Sequence, residues 1–157
     1  MPYDLREALR PETERAAHEL NAAYKLVIAA RRWRARLTDI LKRDGASDSD
    51  FSVLYHLAAA PTGLKQGELA ERMGVRGPTL TRLLDGLEAR GWVRRGEIIG
   101  DRRFKLIKLT TLGCDTVRDL DPLARSLRDH IFDGCTDEQI IAFQAMLDRI
   151  LERSAAD

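Results

Sequence analysis

Arg82 has the setting in this chain that best suits a side chain for chemistry, and the chemistry is recognition rather than bond-making. It lies in Pro78-Thr79-Leu80-Thr81-Arg82-Leu83-Leu84-Asp85-Gly86-Leu87. Leu80, Leu83, Leu84 and Leu87 recur at i, i+3, i+4 and i+7, so a helix packs them on one side. The other side then presents Pro78, Arg82 and Asp85, flanked by Thr79, Thr81 and Gly86, and all of these are short except Arg82. A helix that enters a DNA major groove about 12 Å wide needs small polar residues and one long donor that reaches base edges. Arg82 has the fork to pair bidentately with a guanine, while Thr79 and Thr81 suit phosphates or a thymine methyl. A surface helix with an ordinary polar face satisfies the same pattern, so this helix alone does not decide.

Asp101-Arg102-Arg103 forms a second cluster, at a turn between two apolar-patterned strands where no core requires arginine. An arginine on a projecting loop can enter the narrow, negative minor groove, and Asp101 can orient a neighbouring arginine by a charge-assisted bond. Other chemistries find no support. Cys114 and Cys135 lack CxxC spacing, and His18, His56 and His130 are too far apart in sequence to suggest a metal motif. There is no Ser-His-Asp or Cys-His constellation and no phosphate loop, so no catalytic residue, no cofactor and no metal are expected.

Several helices and a hairpin must position these clusters. A first helix is expected over about Glu12 to Arg43, with Pro11 in its first turn. Leu20, Tyr24, Val27, Ile28, Leu37, Ile40 and Leu41 form its stripe, and Asp44-Gly45 ends it. A second helix starts in Ser47-Asp48-Ser49-Asp50, where Ser47 and Asp50 have capping-box-like spacing, and turns Phe51, Leu54, Leu57 and Ala58 inward before Pro61. A short third helix, Gln66 to Met73, turns Leu69, Ala70 and Met73 inward and stops at Gly74. After Val75-Arg76-Gly77 the Arg82 helix begins at Pro78 and ends at Gly91. The period then changes: Trp92-Val93-Arg94-Arg95 and Phe104 to Leu109 read as strands, with Gly96, Gly100 and Asp101 supplying turn chemistry. Thr110 or Thr111 caps a fifth helix carrying Val117, Leu120, Leu127 and Ile131, with a kink or break expected at Pro122. Thr136 and Gln139 form a capping box for a last helix lined by Ile140, Phe143, Leu147, Ile150 and Leu151.

The net charge of +1 conceals an asymmetry. Pro61 to Thr110 holds eleven Lys/Arg against six Asp/Glu, while the remainder holds fifteen against nineteen. Basic charge therefore gathers where the two clusters lie, as one phosphate-facing surface requires. Met1 to Arg10 has no apolar core of a signal peptide, and the longest apolar stretch, Leu26 to Ala30, cannot span a bilayer. A cytoplasmic protein with no membrane partner is expected.

Two short helices, a tight turn and a basic hairpin make the plan of a winged helix-turn-helix. Four segments resemble the MarR/SlyA family of bacterial regulators: Leu64-Lys65-Gln66-Gly67-Glu68-Leu69-Ala70-Glu71-Arg72-Met73-Gly74-Val75, Pro78 to Glu88, Gly91-Trp92-Val93-Arg94-Arg95, and Asp101 to Gly113 with its Leu-Thr-x-x-Gly ending. The resemblance implies a mainly α (α+β) fold in one domain spanning 1–157. A winged helix-turn-helix would occupy 47–110, and N- and C-terminal dimerisation helices 12–43 and 111–153. It implies a homodimer on palindromic double-stranded DNA, with contacts from Lys65, Gln66, Arg76, Pro78, Thr79, Thr81, Arg82, Asp101, Arg102 and Arg103. It further implies a repressor relieved by a small aromatic carboxylate, phenol or other lipophilic effector. Trp33, Arg34, Leu37, Phe51 and Tyr55 are the residues expected to line the effector region, with Arg31 or Arg34 meeting a carboxylate; core or dimer packing is the alternative use for the apolar ones. No reactive cysteine stands near the start of the first helix, as the oxidant-sensing relatives have. A winged-helix module that binds proteins rather than DNA is the other function class open at this point.

Overall fold

A computed structural model describes residues 13–98 and 101–154, with the side chains of 97–105 outside the described set. The elements are α1 (Glu14–Leu41), a 3-10 turn (Lys42–Asp44), α2 (Asp48–Ala58), β1 (Leu64–Lys65), α3 (Gln66–Met73), α4 (Gly77–Ala89), β2 (Val93–Ile98), β3 (Asp101–Leu109), α5 (Thr111–Phe132) and α6 (Asp137–Ser154). The chain divides into two units, one ending at Asp48 and one beginning at Ser49.

In the first unit, Thr13 caps α1 by accepting the Ala16 N–H at 3.1 Å, and Gly45 stops the following 3-10 turn at φ 71°. Pro11 and residue 12, expected in the first turn, lie outside the described residues. Leu37 and Leu41 are buried, whereas Leu20, Tyr24, Val27 and Ile28 on the same expected stripe remain exposed. The C-terminal part of α1 holds the last residue of this unit: Arg34 Nε meets Asp48 Oδ2 at 2.8 Å, and the Thr38 hydroxyl donates to Asp48 Oδ1 at 3.2 Å.

In the second unit, α2 buries Phe51, Val53, Leu54 and Leu57. Ala58, expected inward, is exposed because it is the last helical residue, where the chain turns out toward Pro61. On α3, Leu69 and Ala70 are buried and Met73 is half-buried, and Gly74 ends the helix at φ 62°. This left-handed residue makes the tight turn into α4 possible. The sheet has strand order β1-β3-β2, all antiparallel. Its inner face carries Leu64, Val93 and Ile107, all buried. β1, with only two residues, is too short to show alternation and was not expected. The hairpin is longer than its sequence pattern suggests: Gly96 and Asp101, expected in the turn, belong to β2 and β3. The ladder continues past them through a register shift at Glu97/Ile98.

Thr110 caps α5 by accepting the Gly113 N–H at 3.0 Å. The break or kink expected at Pro122 is not a break: α5 runs from Thr111 to Phe132 with proline inside it. Proline removes one backbone donor, but buried Leu120, Ala124 and Leu127 hold the helix on both sides of it. The Thr136–Gln139 capping box forms as expected: Gln139 Oε1 accepts the Thr136 N–H at 2.9 Å and Thr136 Oγ1 accepts the Gln139 N–H at 3.3 Å. α6 has no buried residue, and Ile141, Phe143, Met146, Ile150 and Leu151 are exposed. No described helix is long and apolar enough to cross a membrane.

Candidate nucleic-acid interface

The α4 helix forms because its N-terminal residues are preset. Arg76 is the extended N-cap and Pro78 occupies the first turn, where the missing proline donor costs nothing. Leu80, Leu84 and Leu87 are completely buried, which fixes the rotation of the helix. The opposite face is then exposed at Pro78, Thr79, Thr81, Arg82, Asp85 and Gly86. Helix α3 packs against α4, and a side-chain relay joins them. Gln66 Nε2 donates to Thr81 Oγ1 at 2.9 Å, and that hydroxyl donates to Gly77 O at 3.1 Å. Gln66 and Thr81, both named as DNA-facing from the sequence, thus also set the helix-turn-helix angle.

The cations here sort by partner. Arg76 and Arg82 are exposed and form no ion pair among the described residues. Arg95 is the opposite case, with a side chain only 15% exposed. From β2 it reaches three positions of α4: NH2 meets Asp85 Oδ1 at 2.7 Å, NH1 meets Glu88 Oε2 at 2.6 Å, and NH2 donates to Thr81 O at 3.3 Å. The Arg95 backbone N–H adds a bond to Glu88 Oε1 at 3.1 Å. That backbone donor is the leading cause that holds the Glu88 carboxyl below its ordinary range, and the guanidinium's bond and charge add to it against the cost of burial. Burial opposes the charge of Arg95, but the bonds from Asp85 and Glu88 outweigh it and raise the guanidinium's proton affinity. The hairpin is therefore bolted to α4, and Asp85 is committed to that bolt rather than standing ready for a ligand. Sequence reasoning passed over Arg95. The signal was present: two residues after buried Val93, it must point inward, and an inward arginine needs acids.

On the outer sheet face Arg94 stands directly opposite Lys108, and Arg94, Gly96, Leu106 and Lys108 line a groove of about 160 Å³. Lys65 at the β1/α3 junction is exposed. The backbones of Asp101, Arg102 and Arg103 open β3, and their side chains lie outside the described residues.

The residues expected to line an effector region fall in both units. On α1, Trp33 is half-buried, Leu37 is buried, and Arg34 is exposed but paired with Asp48. On α2, Phe51 is buried and Tyr55 is 50% exposed, with their ring centroids 6.2 Å apart. His56 edges against Tyr55, and burial followed by the nearby Arg72 charge pushes its pKa down. Among the described residues no group of His, Cys, Asp and Glu could hold a metal ion.

A model of the MarR family matches residues 44–103, the span from the turn before α2 into the first residues of β3. Among solved structures the chain resembles the transcriptional regulator PA3341 at 38% identity and TM-score 0.77, covering 86% of this chain and 98% of that one. It resembles a MarR family transcriptional regulator from Silicibacter pomeroyi at 33% identity and TM-score 0.74, covering 84% and 88%. A mutant MarR from E. coli, solved in complex with operator DNA, shares the fold at 24% identity and TM-score 0.75, covering 85% and 96%.

Proposed function

Because this chain belongs to the MarR family of transcriptional regulators, we propose that it is a sequence-specific, homodimeric DNA-binding repressor relieved by a small aromatic or lipophilic ligand. The observation that carries the DNA reading is Arg82, exposed and without an ion pair among the described residues, on the α4 face opposite three fully buried leucines. Neighbouring cations that serve the fold, Arg90 and Arg95, are visibly paired. Arg82 reads a base edge, while Pro78 and Thr79 allow close approach and the Thr81 methyl meets the groove. Lys65, Gln66 and Arg76 contact phosphate, and Asp101, Arg102 and Arg103 carry the wing contact. A palindromic operator follows from two copies, each presenting one recognition helix to a half-site.

Homodimerisation through α1, α5 and α6 is supported by the apolar residues left exposed on them. Among these are Leu20, Tyr24, Val27 and Ile28 on α1, and Ile141, Phe143 and Met146 on α6. A groove of about 540 Å³ at Phe132, Ile140, Phe143 and Leu147 adds to the apolar surface of α6. For the effector, Trp33, Leu37, Phe51 and Tyr55 supply aromatic and aliphatic contact. A carboxylate bound at Arg34 competes with Asp48, so exposed Arg31 is the easier partner. The protein acts in the cytoplasm, on double-stranded DNA and a small molecule.

The test is an anisotropy titration of purified protein with its own upstream intergenic DNA at two salt concentrations. Saturable binding that survives excess non-specific DNA and weakens steeply with salt is the expected result. Binding abolished by competitor at both salt concentrations overturns the reading and favours a winged helix that binds proteins.

A further inference from the structure

Asp50 is the one buried charged residue among those described. It sits in the first turn of α2, directly before Phe51. Its Oδ1 pairs with Arg90 NH2 at 2.8 Å, the side chains being 12% and 34% exposed. Arg90 is the C-cap of α4 and is held in two further directions. Its Nε donates to Gly86 O at 3.2 Å, and its guanidinium carbon lies 4.1 Å from the Trp92 ring centroid. One cation therefore joins the end of α4, the first turn of α2 and the residue that leads into β2. A buried carboxylate is tolerated only with a well-placed partner, and the delocalised guanidinium is the cation that can bond edge-on while stacking face-on. A lysine or glutamine in its place satisfies at most part of this arrangement.

We infer that Arg90 is a positioning residue for DNA recognition, pinning the C-terminal end of α4 to the helix that carries Phe51 and Tyr55. This rests on the reading of α4 as the DNA-facing helix. Arg82 sits about two turns N-terminal to Arg90, so an α4 released at its C-terminal end presents Arg82 at a range of tilts rather than one. A movement of α2 reaches the recognition helix through the same pin, because Asp50 and Arg90 cannot separate without giving up a largely buried ion pair.

The experiment compares Arg90→Gln, Arg90→Lys and Asp50→Asn with the wild-type chain, at a temperature where circular dichroism shows each fully folded. The first readout is affinity for operator DNA across a salt series. Arg90→Gln and Asp50→Asn weaken binding about tenfold, the scale of coupling between packed elements, while the slope of log affinity against log salt is unchanged because no phosphate contact is lost. Arg90→Lys, which keeps the charge and the ring contact, recovers much of the loss. The second readout needs no DNA: amide hydrogen exchange at the end of α4 and in the first turn of α2 speeds up in both uncharged variants, and α6 is unaffected. Affinity within twofold of wild type overturns the inference, as does a slope reduced by about one, the signature of a direct phosphate contact. Unchanged exchange at both helix ends also overturns it, and where Arg90→Gln does not fold, Asp50→Asn decides by the same two readouts. Wild-type protein that binds no operator sinks the DNA reading instead, and the exchange arm still decides whether the pin exists.

Discussion

Replacing Gly113 by alanine tests how the winged hairpin is joined to α5. Gly113 is buried in the first turn of α5, and a Cβ on it would stand 2.9 Å from the Trp92 carbonyl carbon, closer still to its oxygen, and 3.3 Å from Leu109 Cδ2. Carbon atoms settle at about 3.5–4.0 Å, so the carbonyl must retreat by at least roughly 0.6 Å for its carbon alone. It has nowhere to go without loss: the Trp92 oxygen accepts the Thr110 N–H at 3.1 Å and the Thr110 hydroxyl at 3.3 Å. That hydroxyl also donates to Gly91 O and caps α5 through Gly113 N–H. Overpacking against backbone costs about 1–3 kcal/mol, and one weakened hydrogen bond adds about 1 kcal/mol. The better helix propensity of alanine returns roughly 0.5–1 kcal/mol. The net destabilisation is about 1–3.5 kcal/mol, a fall in Tm of roughly 2–14 °C for a protein of this size. Thermal unfolding followed by circular dichroism reads it, with Gly86→Ala as the control, since no atom lies within 4 Å of a Cβ built there. A Gly113→Ala protein melting within a degree of wild type refutes the account of this junction.

Arg82→Ala should cost about 1–3 kcal/mol and flatten base preference at one position per half-site, read by binding to a panel of single-base operator variants; an unchanged preference removes Arg82 from the base-reading role. Arg95→Met, similar in length but uncharged, should loosen the hairpin and weaken operator binding without removing a DNA contact, so affinity falls while the salt slope holds. Because Glu88 has a lowered pKa, its bonds to Arg95, the backbone N–H first, contribute stability that is complete at neutral pH and fades as pH falls below about 4. Arg95→Met keeps the backbone N–H bond to Glu88, so both proteins should lose stability in that acid window, and the gap between their melting curves should narrow there as the guanidinium loses its charged partner. His56, also with a lowered pKa, takes up its proton more readily unfolded than folded. Stability should thus fall as pH drops below about 6.5, the ordinary histidine value, and His56→Gln should flatten that part of the Tm profile.

The α4 helix was legible because one requirement, four leucines at helical spacing, fixes both its position and its rotation. Structure agrees to within a residue at α3 and places the polar face of α4 where the leucines demand. The Thr136–Gln139 box was legible for a similar reason, since both partners lie within one turn. What escaped is non-local. Arg95 grips α4 from another element, Arg90 and Asp50 lie forty positions apart in the chain, and β1 exists only because β3 offers it an edge. At Pro122 the helix does not break, although local propensity allows it, because buried Leu120 and Leu127 on either side hold it together. Ala58 misled because periodicity continues to a helix end that has already turned outward.

The register that sets Arg94 opposite Lys108 gives the protein two opposed responses to salt. Like charges directly across an antiparallel ladder repel, and screening relieves them, with a Debye length near 10 Å at about 0.1 M salt. Added electrolyte thus eases the free protein's outer sheet face while it strips affinity from DNA by taking over the role of released counterions. The buffer in which this chain keeps best is consequently not the buffer in which it holds its operator best, and a storage condition chosen by melting temperature alone will understate its grip.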